Sequence, residues 1–387
     1  MHLRGEDVGV KNIKWRKREM KKIVCVIVAC AMLIALAALP VSCKRNDTVA
    51  NLEGDYTGLE GTSLYIVNWG EYISDGSEGT LDIIKAFEKT TGINVTYDDS
   101  TPSNEAMYAK LKSGAVAVDI VIPSDYMIQR MIKEDMLQKI DTSKIPNYKY
   151  ILDEYKNLYF DPQNEYSVPY NVGMVGIIYN KTMVEGTPDS WNLLWDSKYT
   201  NNILSFSNPR DAFATAQFLL GQDVNNTDKA LWDAAAEKLK EQTPVLQGRV
   251  MDEVFNKMEG GNAAVAPYYA GDYLLMKSIN DDLEFFYPKE GTNIFVDSMC
   301  IPKSARNYEA ALMFINFMLE NEVALANAEY LCYASAHSGV VNNPDYSFKD
   351  NEILYPDSEH KPKTQYFYDL DPEIRSYYEK LWEGIVR

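Results

Sequence analysis

Hydrophobic and polar positions along this 387-residue chain follow two periods in turn. Short runs rich in Ile, Val and Ala predict strands, and the segments between them carry apolar side chains at the spacing of amphipathic helices. Such alternation is typical of βαβ units, so we predict an α/β fold with a largely parallel sheet and helices on both faces. The predicted strands are residues 64–67, 93–97, 119–122, 173–180, 203–206, 263–266 and 294–296. The predicted helices are residues 81–90, 104–112, 126–134 and 191–195, the second with Ser103 as its N-cap.

The N-terminal region has the pattern of a secretory signal. An uncharged apolar run, Ile23 to Leu39, follows two lysines, is marginal in length for a membrane span, and is followed by polar sequence. The run ends at Ser42-Cys43, which resembles a bacterial lipoprotein signal in which Cys43 is lipidated and becomes the N-terminus, although Pro40 stands where such signals prefer leucine. We therefore predict a lipoprotein at the outer face of the cytoplasmic membrane, with ordinary cleavage and secretion as the alternative. Met1 and Met20 both stay open as the translation start.

The charge and composition of the chain narrow the range of ligands and partners that can be expected. The net charge is −18, and removing residues 1–42 leaves 30 basic and 53 acidic side chains, a net charge of −23. Such a field repels phosphate backbones, so nucleic acid is not an expected partner, whereas cationic ligands are favoured. Three histidines are too few for a histidine metal site or a Ser-His-Asp triad, and we predict no cofactor and no metal. Cys300 and Cys332 lie in apolar sequence and are predicted to be buried free thiols.

Most of the predicted strands are followed by residues of the same chemical kinds. Aromatic rings stand beside carboxylate or amide groups after five strands, and ligands of open α/β sheets bind beyond the carboxyl ends of strands. Aromatic faces attract ammonium groups, and carboxylates accept charge-assisted hydrogen bonds from them, so this lining suits a flexible organic cation. The residues are Trp69, Gly70, Glu71 and Tyr72; Ser124, Asp125 and Tyr126; Asn208 and Asp211; Tyr268, Tyr269 and Asp272; and Phe295 with Asp297.

Residues 62–387 resemble the substrate-binding proteins of polyamine ABC importers, the spermidine/putrescine-binding family. The resemblance rests on NWGEYI, DIVIPSDYMIQRM, YYAGDY and YPKEGTNIFVDSMCIPKSARN, among other segments. It implies a two-lobed periplasmic-binding-protein fold of type II, in which each lobe is a mixed, mostly parallel sheet flanked by helices and hinge strands join the lobes. It also implies a monomer that binds polyamine without chemistry and delivers it to a membrane permease driven by an ATPase.

The chain is long enough for two domains after cleavage. The resemblance suggests their limits, and the polar, glycine-containing residues after Cys43 are predicted to be a membrane tether. The predicted divisions are the signal peptide, 1–42; the tether, 43–61; lobe 1, 62–169 and 294–335; lobe 2, 170–293; and a C-terminal helical segment packing across the lobes, 336–387.

The resemblance also implies the ligand contacts. Trp69 and Tyr269 would be aromatic walls, Asp297 would hold a primary ammonium, and Tyr333 and Gln365 would add contacts near the C-terminus. Asn208 stands where spermidine binders carry an acid, so the choice between putrescine and spermidine stays open. The implied set is Trp69, Gly70, Glu71, Tyr72, Ser124, Asp125, Tyr126, Asn208, Asp211, Tyr269, Asp272, Phe295, Asp297, Tyr333 and Gln365.

Three alternatives remain at this point. Tyr268 and Tyr269 resemble the tandem tyrosines of ferric-ion-binding proteins, since phenolate oxygens suit Fe(III). Glu71 and Asp297 could be the two carboxylates of a glycoside hydrolase. An orphan sensor or adhesin could keep the fold without any transporter.

Overall fold

A computed structural model of the chain describes residues 46–386, so the predicted signal peptide and Cys43 lie outside the described residues. Eleven strands and eleven α-helices occur within this range. The strands are β1 Ser63–Val67, β2 Asn94–Asp98, β3 Ile120–Val121, β4 Ser167–Asn180, β5 Ile203–Phe206, β6 Leu246–Val250, β7 Val265–Tyr269, β8 Leu283–Phe286, β9 Thr292–Cys300, β10 Ala334–Ser335 and β11 Thr364–Gln365. The helices are α1 Ile83–Thr91, α2 Asn104–Ser113, α3 Asp125–Lys133, α4 Pro209–Leu219, α5 Lys229–Gln242, α6 Glu253–Glu259, α7 Ala270–Ile279, α8 Tyr308–Met318, α9 Asn321–Leu331, α10 Ser338–Val341 and α11 Pro372–Val386.

The predicted elements occur close to their expected positions. The Ser103 side chain caps α2 by accepting from the backbone N of Ala106 at 3.1 Å, as predicted. Residues 203–206 form β5 with the predicted limits. Residues 191–195 are a 3₁₀-helix, not an α-helix. Local sequence pattern therefore predicts where the elements lie, with errors of a few residues at their ends.

The strands form a mixed α/β arrangement of two lobes. In the first lobe, β1 pairs in parallel with β2 and β3, and in the second, β5 pairs in parallel with β6 and β7. The 14-residue β4 takes part in both sheets, because it is antiparallel to β9 and β10 on one side and to β7 and β8 on the other. The long strands β4 and β9 therefore connect the lobes, in the place where the resemblance implies hinge strands.

Residues before β1 are docked on the first lobe. Glu320, at the start of α9 and fully buried, accepts from the backbone N of Gly54 at 2.8 Å and from the hydroxyl of Tyr56 at 2.6 Å. Its second oxygen accepts from the backbone N of Glu53 at 2.9 Å. Part of the predicted 43–61 tether is thus packed on the first lobe. Hydrogen bonds to the buried Glu320 carboxylate hold this segment on the first lobe, and amino-acid composition does not reveal such contacts.

The C-terminal segment, predicted as residues 336–387, contacts both lobes. On the second lobe, Tyr378 of α11 stacks on Trp232 of α5 with ring centroids 5.1 Å apart. On the first lobe, Asp369 forms an ion pair with Lys133 at the end of α3, at 3.0 Å. The stretch just before α11 therefore lies where the two lobes meet.

The structure also shows the state of the two cysteines and whether any described helix could span a membrane. Cys300 and Cys332 are both free and buried, as predicted. Within residues 46–386, no helix combines the length and the apolar character that crossing a membrane requires.

Candidate ligand-binding site

Four aromatic rings form a continuous run where strands of both lobes end. Tyr72 lies just after β1, Phe295 lies in β9, Tyr269 ends β7, and Tyr333 follows α9. The ring centroids are 5.4 Å apart for Tyr72 and Tyr333, 6.5 Å for Tyr333 and Phe295, and 5.5 Å for Phe295 and Tyr269. We call these four residues the aromatic run. Three of them were predicted from strand ends and Tyr333 from the resemblance, and the fold brings all four together.

Two glycines make room for these rings. Gly173 of β4 is the register partner of Phe295, and a Cβ at Gly173 would lie 2.2 Å from the Phe295 ring. A Cβ at Gly271 would lie 2.4 Å from the Tyr333 ring. Such distances are impossible without displacing the ring, so the positions of these two rings depend on glycine at the facing backbone.

Asp297 lies at one end of the aromatic run. Its side chain is buried, and Oδ2 accepts from the Tyr72 hydroxyl at 2.7 Å. Its Oδ1 is buried without a hydrogen-bond partner among the described residues. Burial raises the pKa of Asp297 to about 6, although hydrogen bonding by the side chains of Tyr72 and Ser124 acts to lower it. An unpartnered buried carboxylate oxygen is costly, so this end of the run is suited to receive a donor from a ligand.

Asp211 lies at the other end, in the first turn of α4. Its Oδ2 accepts from the Tyr269 hydroxyl at 2.9 Å and from Nδ2 of Asn208 at 2.8 Å. Burial raises the pKa of Asp211 to about 6. None of the ion pairs within residues 46–386 includes Asp211 or Asp297. The aromatic run therefore has a buried carboxylate without a salt-bridge partner at each end.

A third carboxylate, Asp272, lies beside the run. It is half-buried, and burial raises its pKa to about 7, while a hydrogen bond with Tyr333 acts in the opposite direction. Nearby Asp252, which raises the Asp272 pKa further, accepts from the Tyr268 hydroxyl at 3.3 Å. Asp252 was not predicted, since it follows β6 in a stretch without an aromatic neighbour.

Trp69 and Gly70 lie where the loop after β1 meets the second lobe. Trp69 is half-buried against the two main hydrophobic clusters, and its Nε1 is buried without a partner in the described part of the chain. A Cβ at Gly70 would lie 3.8 Å from Oδ2 of Asp252, which belongs to the second lobe. This loop therefore lies next to a residue of the second lobe, as expected for residues at a cleft.

The residues after β3 serve partly to hold the site in place. Asp125 is fully buried and accepts from the backbone N of Tyr126 at 2.7 Å and of Val296 at 3.3 Å, so it fixes β9 beside α3. Ser124 forms a backbone bridge with Asp297. The hydroxyl of Tyr126 donates to Glu105 at 3.0 Å.

Two residues of the predicted set do not join this cluster. Glu71 is exposed and has a left-handed backbone, with φ of 51°, which turns it away from the strand direction. The side-chain oxygen of Gln365 accepts from the backbone N of Val224 at 3.1 Å, so it is used within the fold. Neither outcome could be predicted from residue type.

The same contacts bear on the alternatives. Tyr268 and Tyr269 donate their hydroxyls to different carboxylates, Asp252 and Asp211. Burial raises both tyrosine pKa values well above 10, which disfavours the phenolates that a ferric site needs. Across residues 46–386, no group of three His, Cys, Asp or Glu side chains is arranged to hold a metal. For the hydrolase alternative, Glu71 is exposed whereas Asp297 is buried.

Sequence reasoning missed Tyr170. Its hydroxyl donates to the backbone O of Tyr72 at 2.7 Å, and the two rings have centroids 5.6 Å apart. Tyr170 thus holds the Tyr72 backbone beneath the aromatic run. The available signal is an aromatic residue near the start of the long strand β4, before the predicted strand at residues 173–180.

Comparison with known proteins shows the family of the chain. The bacterial extracellular solute-binding protein family matches residues 117–350, more than half of the chain. The chain is 35% identical over 327 residues to the spermidine/putrescine-binding periplasmic protein of Salmonella typhimurium, covering 83% of this chain and 92% of that protein. It is similar to the solved spermidine/putrescine ABC transporter substrate-binding protein of Streptococcus pneumoniae, with a TM-score of 0.70, 35% identity, and coverage of 84% and 98%. It is also similar to the Tp0655 lipoprotein of Treponema pallidum, with a TM-score of 0.73, 28% identity, and coverage of 84% and 99%. The chain belongs to the family of bacterial extracellular solute-binding proteins.

Proposed function

We propose that this protein is the substrate-binding component of an ABC importer and captures a polyamine, putrescine or spermidine, outside the cell. The observation that carries the proposal is the pair of buried carboxylates, Asp211 and Asp297, at the two ends of an aromatic run. A linear diamine has an ammonium group at each end and methylenes between them. The arrangement therefore matches this ligand class in both charge and polarity.

The relatives support this choice of ligand. Those of Salmonella typhimurium and Streptococcus pneumoniae are both named for spermidine and putrescine. In this chain we assign the ammonium-binding role to Asp211 and Asp297, with Asp272 as a further acceptor. The remaining proposed contacts are Trp69, Gly70, Tyr72, Ser124, Tyr126, Asn208, Tyr269, Phe295 and Tyr333. Glu71, Asp125 and Gln365 are left out, because they are exposed or already bonded within the fold.

The proposal extends to location and partners. The Ser42-Cys43 pattern and the similarity to a lipoprotein support lipidation at Cys43, which would hold the protein at the outer face of the cytoplasmic membrane. One diacyl-modified cysteine supplies two acyl chains, which is enough for stable anchoring. The protein would act as a monomer, bind without chemistry, and deliver its ligand to a permease and its ATPase.

Calorimetric titration of residues 43–387 tests the ligand class. Putrescine, cadaverine, spermidine and spermine are compared with 1-aminobutane, which has the methylenes but only one ammonium. We expect the polyamines to bind and the monoamine to bind far more weakly, because one buried carboxylate stays unpaired with it. Binding should also weaken from pH 7.5 to pH 5, since the pKa values of Asp211 and Asp297 are both about 6 and only ionised carboxylates attract ammonium. Equal affinity for monoamine and diamine would contradict the proposal.

A further inference from the structure

Arg210 is a buried cation that the ligand site does not use. It precedes Asp211 in the first turn of α4, and only 3% of the residue is exposed. Its Nε and Nη1 are buried without hydrogen-bond partners, and no ion pair within residues 46–386 includes it. Burying a charge without an opposite charge in contact is costly, so the position calls for an explanation.

The surroundings of Arg210 belong to more than one part of the fold. Nη2 donates to Oδ1 of Asn225 at 2.9 Å and to the backbone O of Tyr368 at 3.5 Å. The guanidinium lies over the ring of Phe367, 4.6 Å from its centroid. Phe367 also contacts the first lobe, where the Tyr126 ring lies 6.1 Å away in a T-shaped contact. Arg210 is thus joined, through the C-terminal segment, to the first lobe.

A cavity separates Arg210 from a carboxylate of the first lobe. Arg210 of α4 and Glu105 of α2 both line this cavity, together with Tyr126 and Tyr378. Glu105 is held in place by the hydroxyl of Tyr126, which donates to Oε1 at 3.0 Å. The cation and the carboxylate therefore lie at the same cavity between the lobes, which Arg130, Asp369, Arg375 and Glu379 also line.

We propose that Arg210 and Glu105 form an interlobe pair that positions the two lobes in the ligand-closed form. The proposal rests on the proposed polyamine-binding function. Arg210 does not touch the ligand in this scheme: it is a positioning residue, which acts through Asp211 beside it and through Tyr126 beyond Glu105. Weakening the pair lowers the population of the closed form, and the apparent affinity falls in proportion to that population.

The direction in which Arg210→Gln changes the affinity for polyamine distinguishes a positioning role from a purely electrostatic one. At a pH well above its pKa, Asp211 is ionised with or without Arg210, so the neighbouring positive charge of Arg210 opposes a cationic ligand. If Arg210 acted only through its charge, Arg210→Gln would therefore strengthen polyamine binding at pH 8. The positioning role predicts the reverse, a loss of about tenfold or more, which is the scale of the coupling between close charge pairs at protein interfaces.

A set of variants tests the pair by calorimetry with putrescine and spermidine. We expect Arg210→Gln and Glu105→Gln each to weaken binding, the double variant to bind no more weakly than the weaker single variant, and Arg210→Lys to retain more affinity than Arg210→Gln. The matched control is Arg249→Gln. Arg249 is a partly buried guanidinium of the second lobe that lies over Trp382 and donates to Ser205 at 3.0 Å, with no residue of the first lobe among these partners.

The distance between the lobes gives a second readout that a purely structural role would not change. With fluorescent labels on cysteines replacing Glu60 and Asp281, both exposed, ligand-free Arg210→Gln should be more open than the ligand-free parent. Equal or tighter binding by Arg210→Gln, fully additive losses in the double variant, or an unchanged interlobe distance would overturn the proposal. If Arg210→Gln does not fold, Glu105→Gln and Arg210→Lys decide it by the same measurements. Absence of polyamine binding by the parent would instead contradict the proposed function.

Discussion

Replacing Asp297 by asparagine should change affinity and stability in opposite directions. The substitution keeps the shape of the side chain and an oxygen that can accept from Tyr72, but it removes the charge. A ligand ammonium at this position would lose a buried, hydrogen-bonded charge partner, which typically costs about 2–5 kcal/mol. Binding of both putrescine and spermidine should therefore fall by this amount.

The stability change follows from the pKa of the same carboxyl. Burial raises the pKa of Asp297 from its usual 3.8 to about 6 in the folded, ligand-free protein. The folded state therefore binds the proton more tightly than the unfolded state, and stability falls as the pH rises from about 4 through 6. Above that range the ionised carboxylate destabilises the fold by about 3 kcal/mol, at about 1.4 kcal/mol for each pKa unit. Asp297→Asn should recover up to this amount at pH 8 and almost none at pH 4.

Denaturant unfolding of the ligand-free proteins at both pH values measures the stability effect, and calorimetry measures affinity. Asp119→Asn is the matched control, because Asp119 is also buried but accepts from three backbone N atoms, those of Tyr65, Arg306 and Asn307. The control should lose stability at pH 8 and keep its affinity. If Asp297→Asn behaves like this control, Asp297 is a structural acid and the reasoning is wrong.

Four further substitutions test other parts of the site and the anchor. Asp211→Asn should weaken spermidine binding more than putrescine binding, and Asn208→Asp, which adds a charge beside Asp211, should favour spermidine. Equal effects on both ligands in calorimetry would show that the Asp211 end of the site does not discriminate between ligands by their charge. Gly173→Ala should displace the Phe295 ring and lower affinity by about 1 kcal/mol or more, the scale of a lost aromatic contact, and unchanged calorimetric affinity would count against a role for this ring. Cys43→Ala should release the protein into the medium or leave an unprocessed precursor, and a mature-size band in the membrane fraction would exclude lipidation.

Sequence alone was enough to locate several of the elements and the chemistry of the strand ends. Periodicity located β5, α2 and its Ser103 cap, because these features depend on neighbouring residues only. The convergence of Tyr72, Tyr269 and Asp297 was also predictable, since ligands of α/β proteins bind beyond the carboxyl ends of strands.

The tertiary structure decided which of these side chains take part. Glu71 and Tyr72 are adjacent in sequence, yet a left-handed backbone at Glu71 leaves it exposed while Tyr72 bonds to Asp297. The side chain of Gln365 is engaged by Val224, which is 141 residues away in sequence. Such outcomes depend on backbone geometry and distant hydrogen bonds, which residue type does not encode.

Contacts between residues that are far apart in the sequence could not be predicted from it, for the same reason. Gly54 and Tyr56 are hydrogen-bonded to Glu320, which lies more than 260 residues away in sequence. Because the sequence does not reveal this contact, the polar, glycine-containing stretch was predicted to be a tether. Arg210 and Glu105 lie on helices of different lobes, and nothing in the local pattern of either helix relates them. Local pattern determines which elements form, whereas packing of distant elements determines which polar groups meet.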